Sequence, residues 1–361
     1  IEFSLGWGAT GLVGSLGLKF TNFAIQNLFN PESYRIVPQG EGQTFSINAR
    51  TNGVYYTSAS ISFLEPWLGG KRPNSLSANI FFASQTGYSD RYYQAYENLY
   101  NNYYYNYNYY GQSDYYQQLQ ESEADPDKYL RTLGVSVGYG KRLSWPDDYF
   151  SFYGELSYQL YMLKDWPYMI LTDGNSHNLA LNLQLSRSSI DNPIYTRRGS
   201  QFIIGLKITP PYSLIRGTTD AQYAQMSAAE KYNLLEYHKW RFSGKVFTPL
   251  TSDSKLVLMA RADFGYLGHY NKNVKSPFES FYMGGDGMSG YSSYSTEYIS
   301  MRGYQSGSLT PYDEATGRNM GYVYNKFTME LRYPISLEQN ATIWALAFVE
   351  AGNCFADIKD Y

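Results

Sequence analysis

Hydrophobic and polar residues alternate with a period of two along most of this chain. Phe3, Leu5 and Trp7 stand opposite Glu2, Ser4 and Gly6, and Leu16, Leu18 and Phe20 stand opposite Ser15, Gly17 and Lys19. Successive side chains of a strand point to opposite faces, so this pattern predicts strands and not helices. It recurs near 45–49, 58–63, 76–82, 133–139, 150–160, 179–185, 202–208, 240–246, 256–264, 327–333 and 342–355. With the first two runs these make thirteen segments of about ten residues, the length at which a tilted strand crosses a bilayer. Strands of soluble proteins average only about five or six residues.

Aromatic residues gather at the ends of the segments, among them Tyr55, Phe63, Tyr139, Tyr149, Trp166, Trp240, Tyr266 and Tyr333. Girdles of this kind mark the two interfaces of an outer-membrane barrel. The expected fold is therefore all-β, a transmembrane antiparallel β-barrel occupying 1–361 as one domain in the outer membrane of a Gram-negative cell. Composition agrees: 40 Tyr and 19 Phe accompany only 17% charged residues. Mean hydropathy is nevertheless −0.45, as it should be when only every second residue meets lipid.

Connection lengths give the direction. Long segments follow the fifth, seventh, ninth and eleventh strands, at about 88–128, 165–175, 210–236 and 268–321, and shorter ones lie between, except at about 21–41. Short turns are periplasmic and long loops extracellular in such barrels, so strand one runs outward. Bacterial single-chain barrels have even strand numbers; thirteen strands imply further ones beyond Tyr361, sixteen in the full protein. Ile1 already stands in a strand pattern, so a preceding segment is also expected.

Within the long loops, the Tyr-rich stretch 88–116 suits either a sticky aromatic surface or a lid packed on its own tyrosines. Residues 221–235 predict one short amphipathic helix. Chemistry is sparse. A single cysteine, Cys354, with His177, His238 and His269 scattered, leaves no metal cluster, catalytic constellation or cofactor site to expect. The net charge of −3 argues against nucleic acid.

One stretch stands apart. Phe281-Tyr282-Met283-Gly284-Gly285 is followed, after fifteen residues, by Met301-Arg302-Gly303-Tyr304. A guanidinium inside a barrel lumen is partly desolvated and needs a carboxylate partner. Glu330 alternates with the apolar Met329 and Leu331, and so points inward. Glu350 is a second candidate, although alternation groups it with Phe348 and Leu346.

These residues resemble the sixth extracellular loop of the BamA family of outer-membrane β-barrel assembly insertases, which carries a (V/I)RG(F/Y) signature. The opening Phe3-x-x-Gly6-Trp7-Gly8 and Asp191-x-Pro193 leading to Arg198-Gly199 extend the likeness over the chain. Met301 in place of Val or Ile, and the wide spacing from Gly285, depart from the signature.

The resemblance implies a protein without covalent chemistry, not an enzyme, in which Arg302 is clasped by Glu330 and Glu350. It also implies a weakly paired first strand, Ile1, Glu2, Phe3, Ser4, Leu5, Gly6 and Trp7, that templates incoming strands. The implied partners are nascent outer-membrane proteins, BAM-complex lipoproteins or surface proteins on the long loops, and outer-membrane lipid and lipopolysaccharide. A two-partner secretion pore of the same superfamily would share the motif. A passive porin would share the composition and topology without a reason for the arginine.

Overall fold

The computed structural model describes residues 2–8, 11–53, 55–70, 74–88, 124–167, 169–286, 296–313, 318–338 and 340–360. Ile1 and the Tyr-rich stretch from 89 onward lie outside the described residues. Thirteen strands form one sheet in chain order, each antiparallel to the next. They are β1 (Glu2–Gly8), β2 (Gly11–Phe23), β3 (Gln43–Asn52), β4 (Tyr56–Glu65), β5 (Asn74–Tyr88), β6 (Ala124–Arg142) and β7 (Phe150–Lys164). They continue with β8 (Gly174–Ser188), β9 (Gly199–Ile208), β10 (His238–Pro249), β11 (Val257–Gly268), β12 (Val323–Glu338) and β13 (Ala341–Phe355).

Register aligns the apolar faces. Ile47, Ile61, Ile80, Val135, Tyr158 and Leu179 are paired in series across six strands and all are exposed. An apolar row left open on one face of a closed or closing sheet is what a lipid-facing belt requires.

Two expectations change in detail. The loop after β5 ends sooner than 128, because Ala124 and Asp125 already pair with Tyr88 and Gly87. The single helix expected over 221–235 is instead two, α2 (Asp220–Gln225) and α3 (Ala228–Lys231), with α1 (Tyr212–Arg216) before them. The break is at Met226, which turns extended at φ −74°, ψ 139°. Ser227 then opens α3 with a reciprocal cap, its amide donating to Glu230 Oε2 at 3.0 Å and its hydroxyl accepting from the Glu230 amide at 3.3 Å.

The long connection between β11 and β12 folds back against the inner face of the sheet. Its Phe278, Phe281, Met283, Met301, Met320 and Tyr322 are buried in one cluster with Leu130 of β6, Tyr161 and Leu163 of β7, Leu267 of β11 and Tyr324 of β12. Phe278 stacks on Tyr161 at 4.3 Å between ring centroids. Among the described residues, β1 to β5 contribute no side chain to this cluster.

Candidate functional site

The loop first builds its own scaffold. Ser280–Met283 pairs in parallel with Thr296–Ile299, and Phe281 exchanges backbone hydrogen bonds with Gly321 at 2.9 and 3.1 Å. Gly285 accepts from the Met301 amide at 2.7 Å and donates to the Tyr304 carbonyl at 3.1 Å, so the two halves of the motif meet although fifteen residues separate them. Glycine is needed here. Gly284 and Gly285 sit at φ 130° and 84°, and a Cβ on either would strike the Gln305 carbonyl or the Tyr298 hydroxyl. Met301 is buried, whereas Gly303, at φ 88°, and Tyr304 are open.

This scaffold carries Arg302 to the wall. Its Nη2 donates to Glu330 Oε1 of β12 at 3.0 Å and to Glu350 Oε1 of β13 at 2.8 Å. Its backbone amide donates to Glu350 Oε2 at 2.9 Å. The two carboxylates are almost fully buried, 9% and 4% exposed, while Arg302 keeps 31%. They are not left to one cation. Arg332 donates to Glu330 Oε2 at 2.6 Å, and Lys326 lies 3.1 Å from Glu350 and donates to the Ser300 carbonyl at 2.6 Å. Three cations thus share two buried anions, which keeps each carboxylate paired away from bulk water. Hydrogen bonding to Glu350 pushes Arg302 above its ordinary pKa, so it stays charged. A cavity of about 500 Å³ opens beside the cluster, lined also by Lys245 and Arg261.

The direction of Glu350 is informative. It does share a face with Leu346 and Phe348, and that face is the inner one; Val349 and Ile343 are exposed on the other. Phe348 is inward because it serves the arginine: its ring centroid is 3.5 Å from the guanidinium carbon. Stacking a planar cation on an aromatic face favours arginine over lysine.

A second set of charges holds the other flank of the loop, and sequence reasoning missed it. Glu279 accepts from Lys207 of β9 and Lys239 of β10, both at 2.8 Å, and from the Tyr237 hydroxyl at 2.9 Å. Glu297 lies 3.0 Å from Lys239 and 2.6 Å from Arg241. Burial opposes ionisation of Glu279, but the two lysines outweigh it and hold its pKa down at about 2. Burial and the neighbouring Glu279 charge push Tyr237 well above its usual value. The available signal was alternation: Lys207 interrupts Leu206 and Ile208, and Lys239 and Arg241 flank Trp240. Inward cations on adjacent strands call for acids from elsewhere.

The opening strand is not brought to either set. β1 pairs with β2 from Glu2↔Gly17 to Gly8↔Gly11, and Ser4 and Ser15 hydroxyls lie 2.7 Å apart. β1 and β13 are the two edges of the sheet. Phe3 and Leu5 are 68% and 62% exposed, and a Cβ at Gly6 would meet nothing within 4 Å.

A family model for the Omp85 superfamily domain matches residues 39–360. The chain belongs to the Omp85 superfamily. It is an outer-membrane β-barrel protein. Among solved structures, BamA from Haemophilus ducreyi lacking POTRA domains 1–3 superposes with a TM-score of 0.59 at 19% identity, over 98% of this chain and 57% of that one. CdiB from Escherichia coli does so with a TM-score of 0.50 at 11% identity, over 97% of this chain and 50% of that one. The chain therefore spans about half the length of each of these two chains. A comparison with curated protein sequences returned no match.

Proposed function

We propose that this chain is the barrel domain of an outer-membrane protein insertase, which folds nascent β-barrel proteins by templating their strands at the β1 edge. The observation that carries the reading is the clasp of Arg302 on Glu330 and Glu350. It fixes the wall at β12 and β13, while Glu2 to Trp7 form an edge whose far side has no partner strand among the described residues. An open edge offers unpaired amides and carbonyls to an incoming strand. Gly6 and Gly8 keep that edge a weak one, able to exchange partners. The likeness to BamA supports the same role, and the long outer loops offer surface for accessory lipoproteins or surface proteins.

The test uses the complete protein in phospholipid vesicles, with a urea-unfolded outer-membrane barrel as client. Insertion is read as heat-modifiable mobility and protease protection of the client. A disulfide joining Ser4→Cys to the last strand of the complete barrel should abolish insertion, and reduction should restore it. Insertion that continues while the seam is locked would overturn edge templating. Passage of a soluble polypeptide without client insertion would instead favour an export pore of the same superfamily.

A further inference from the structure

The connection between β2 and β3 is the one long connection at the end of the sheet that otherwise carries short turns. That end is the periplasmic one in an outer-membrane barrel. The connection does not hang free. It leaves β2 at Phe23, the strand's last residue, which stacks on Phe45 at 5.1 Å and meets Phe63 edge-on at 6.2 Å, both on the lipid-facing side of β3 and β4, and it buries Gln43 two residues before Phe45 on that side. The Ile25 amide donates to Gln43 Oε1 at 2.8 Å, and the Ala24 amide to the Pro38 carbonyl at 3.0 Å. The segment is thus folded over the outer face of the wall, where it covers the end of one apolar row.

What it presents in exchange is again apolar. Phe29 is 92% exposed and Ile36 89%, with Ile25, Leu28, Trp67 and Leu68 also exposed nearby in the chain or across the groove. Ile36 is the tip of a minute hairpin, Tyr34–Arg35 against Val37–Pro38, and lies at φ 83°. Tips in water use glycine or asparagine at such an angle; a β-branched residue there is unusual. Between this segment and the β4–β5 turn lies a groove of about 970 Å³, lined by Ile25, Phe63, Trp67, Leu68 and Leu76, and also by Glu41 and Glu65, whose carboxylates accept from Gln43 Nε2 at 2.9 and 2.7 Å. Leu76 and Phe63 belong to the lipid-facing rows, so the groove continues the barrel's own membrane belt. Tyr34 and Trp67 supply the amphipathic rings that favour the headgroup level.

We infer that residues 24–42 form an interfacial anchor whose Phe29 and Ile36 insert into the periplasmic leaflet of the outer membrane, with phospholipid acyl chains occupying the groove beside Trp67. Continuity with the lipid-facing rows selects lipid over a soluble partner. The segment carries only Glu32, Arg35 and Glu41 as charges, and Glu41 is tied to Gln43 at 2.9 Å.

The complete protein is reconstituted in vesicles of phosphatidylethanolamine and phosphatidylglycerol, with a fluorophore attached at Phe29→Cys or Ile36→Cys and the buried Cys354 left in place. Ile80→Cys marks the lipid belt and Ser252→Cys the aqueous side of the same rim. Labels at 29 and 36 should lose at least half their emission to brominated phospholipid, as at 80, and resist aqueous iodide. Quenching by iodide alone, as at 252, would overturn the anchor and indicate a surface open to soluble partners. As a check without a label, Phe29→Asp with Ile36→Asp should lower the melting temperature in vesicles and leave it unchanged in detergent; equal shifts in both would overturn it. Neither readout depends on client insertion.

Discussion

The wall at β12–β13 and the edge at β1 are made by the same pleat, yet they are stabilised in opposite ways. Along β12 and β13 the inward side chains include Lys326, Thr328, Glu330, Arg332, Phe348 and Glu350, which form one network with a loop residue, Arg302. Along β1 the residues from Glu2 to Gly6 are exposed, and the strand pairs with one neighbour among the described residues. Backbone pairing alone makes a strand; side-chain closure decides whether it can leave. The function proposed above uses this difference: the clasped flank holds the wall's shape while the bare flank is the one to open.

Arg302→Ala breaks the comparison most directly. It removes both side-chain hydrogen bonds and the stacking on Phe348 while keeping the backbone amide bond to Glu350, and Arg332 and Lys326 still neutralise the carboxylates, so the loss should be at or below about 3 kcal/mol, the low end for a broken buried pair. Thermal unfolding should shift accordingly, and protease should cut the loop between β11 and β12. A loop as resistant as the native one would remove the clasp from the account. Next comes Glu350→Gln, which weakens acceptors for the Arg302 amide and side chain, Lys326 and Thr328. It should cost about 1.5–3 kcal/mol, more than Glu330→Gln, whose carboxylate meets only the two arginines. An inverted order would place the main anchor on β12.

Phe348→Leu keeps the apolar volume and removes the ring beneath the guanidinium. A loss of about 0.5–1 kcal/mol is expected, and a double-mutant cycle with Arg302→Lys should show coupling between the two positions. At the other flank, Gly6→Val adds a β-branched side chain where there is room for it. Stability should rise by about 0.5–1 kcal/mol, while client insertion falls if the edge must open. A gain in both would mean that edge strength does not limit insertion.

The second anchor has its own test in pH. Glu279 is held near a pKa of about 2, below the ordinary carboxylate value of 4.5. A depressed pKa stabilises the fold above the unfolded value, and the contribution is lost as pH falls through the folded one. The loop should therefore resist pepsin at pH 4 and become susceptible as pH approaches 2. Lys239→Met, which removes a partner common to Glu279 and Glu297, should move that onset upward.

Period two carried most of the fold, because each spanning strand has one lipid-facing row and register leaves little freedom. Alternation also set the inward direction of Glu330. It grouped Glu350 with Phe348 and Leu346 as well, and what misled was the equation of apolar with lipid-facing, since Phe348 is inward to stack on a cation. Contacts made by loops were not legible. Glu279 and Glu297 find Lys207, Lys239 and Arg241 across long sequence separations, and no local pattern encodes such a meeting. The broken helix near Met226 and the folded-over segment at 24–42 depended on a cap and on a wall of aromatic rings that only the assembled sheet provides.

The loop's charges also act as a key. It offers a cation, Arg302, to acids on one side of the lumen, and acids, Glu279 and Glu297, to cations on the other. Turned end for end, it would set Arg302 against Lys207 and Lys239, and Glu279 against Glu330 and Glu350. Like charges in a confined space disfavour that arrangement strongly. The sign of the charges on the two flanks thereby favours one seating of the loop over its reverse, independently of how closely its apolar side chains pack.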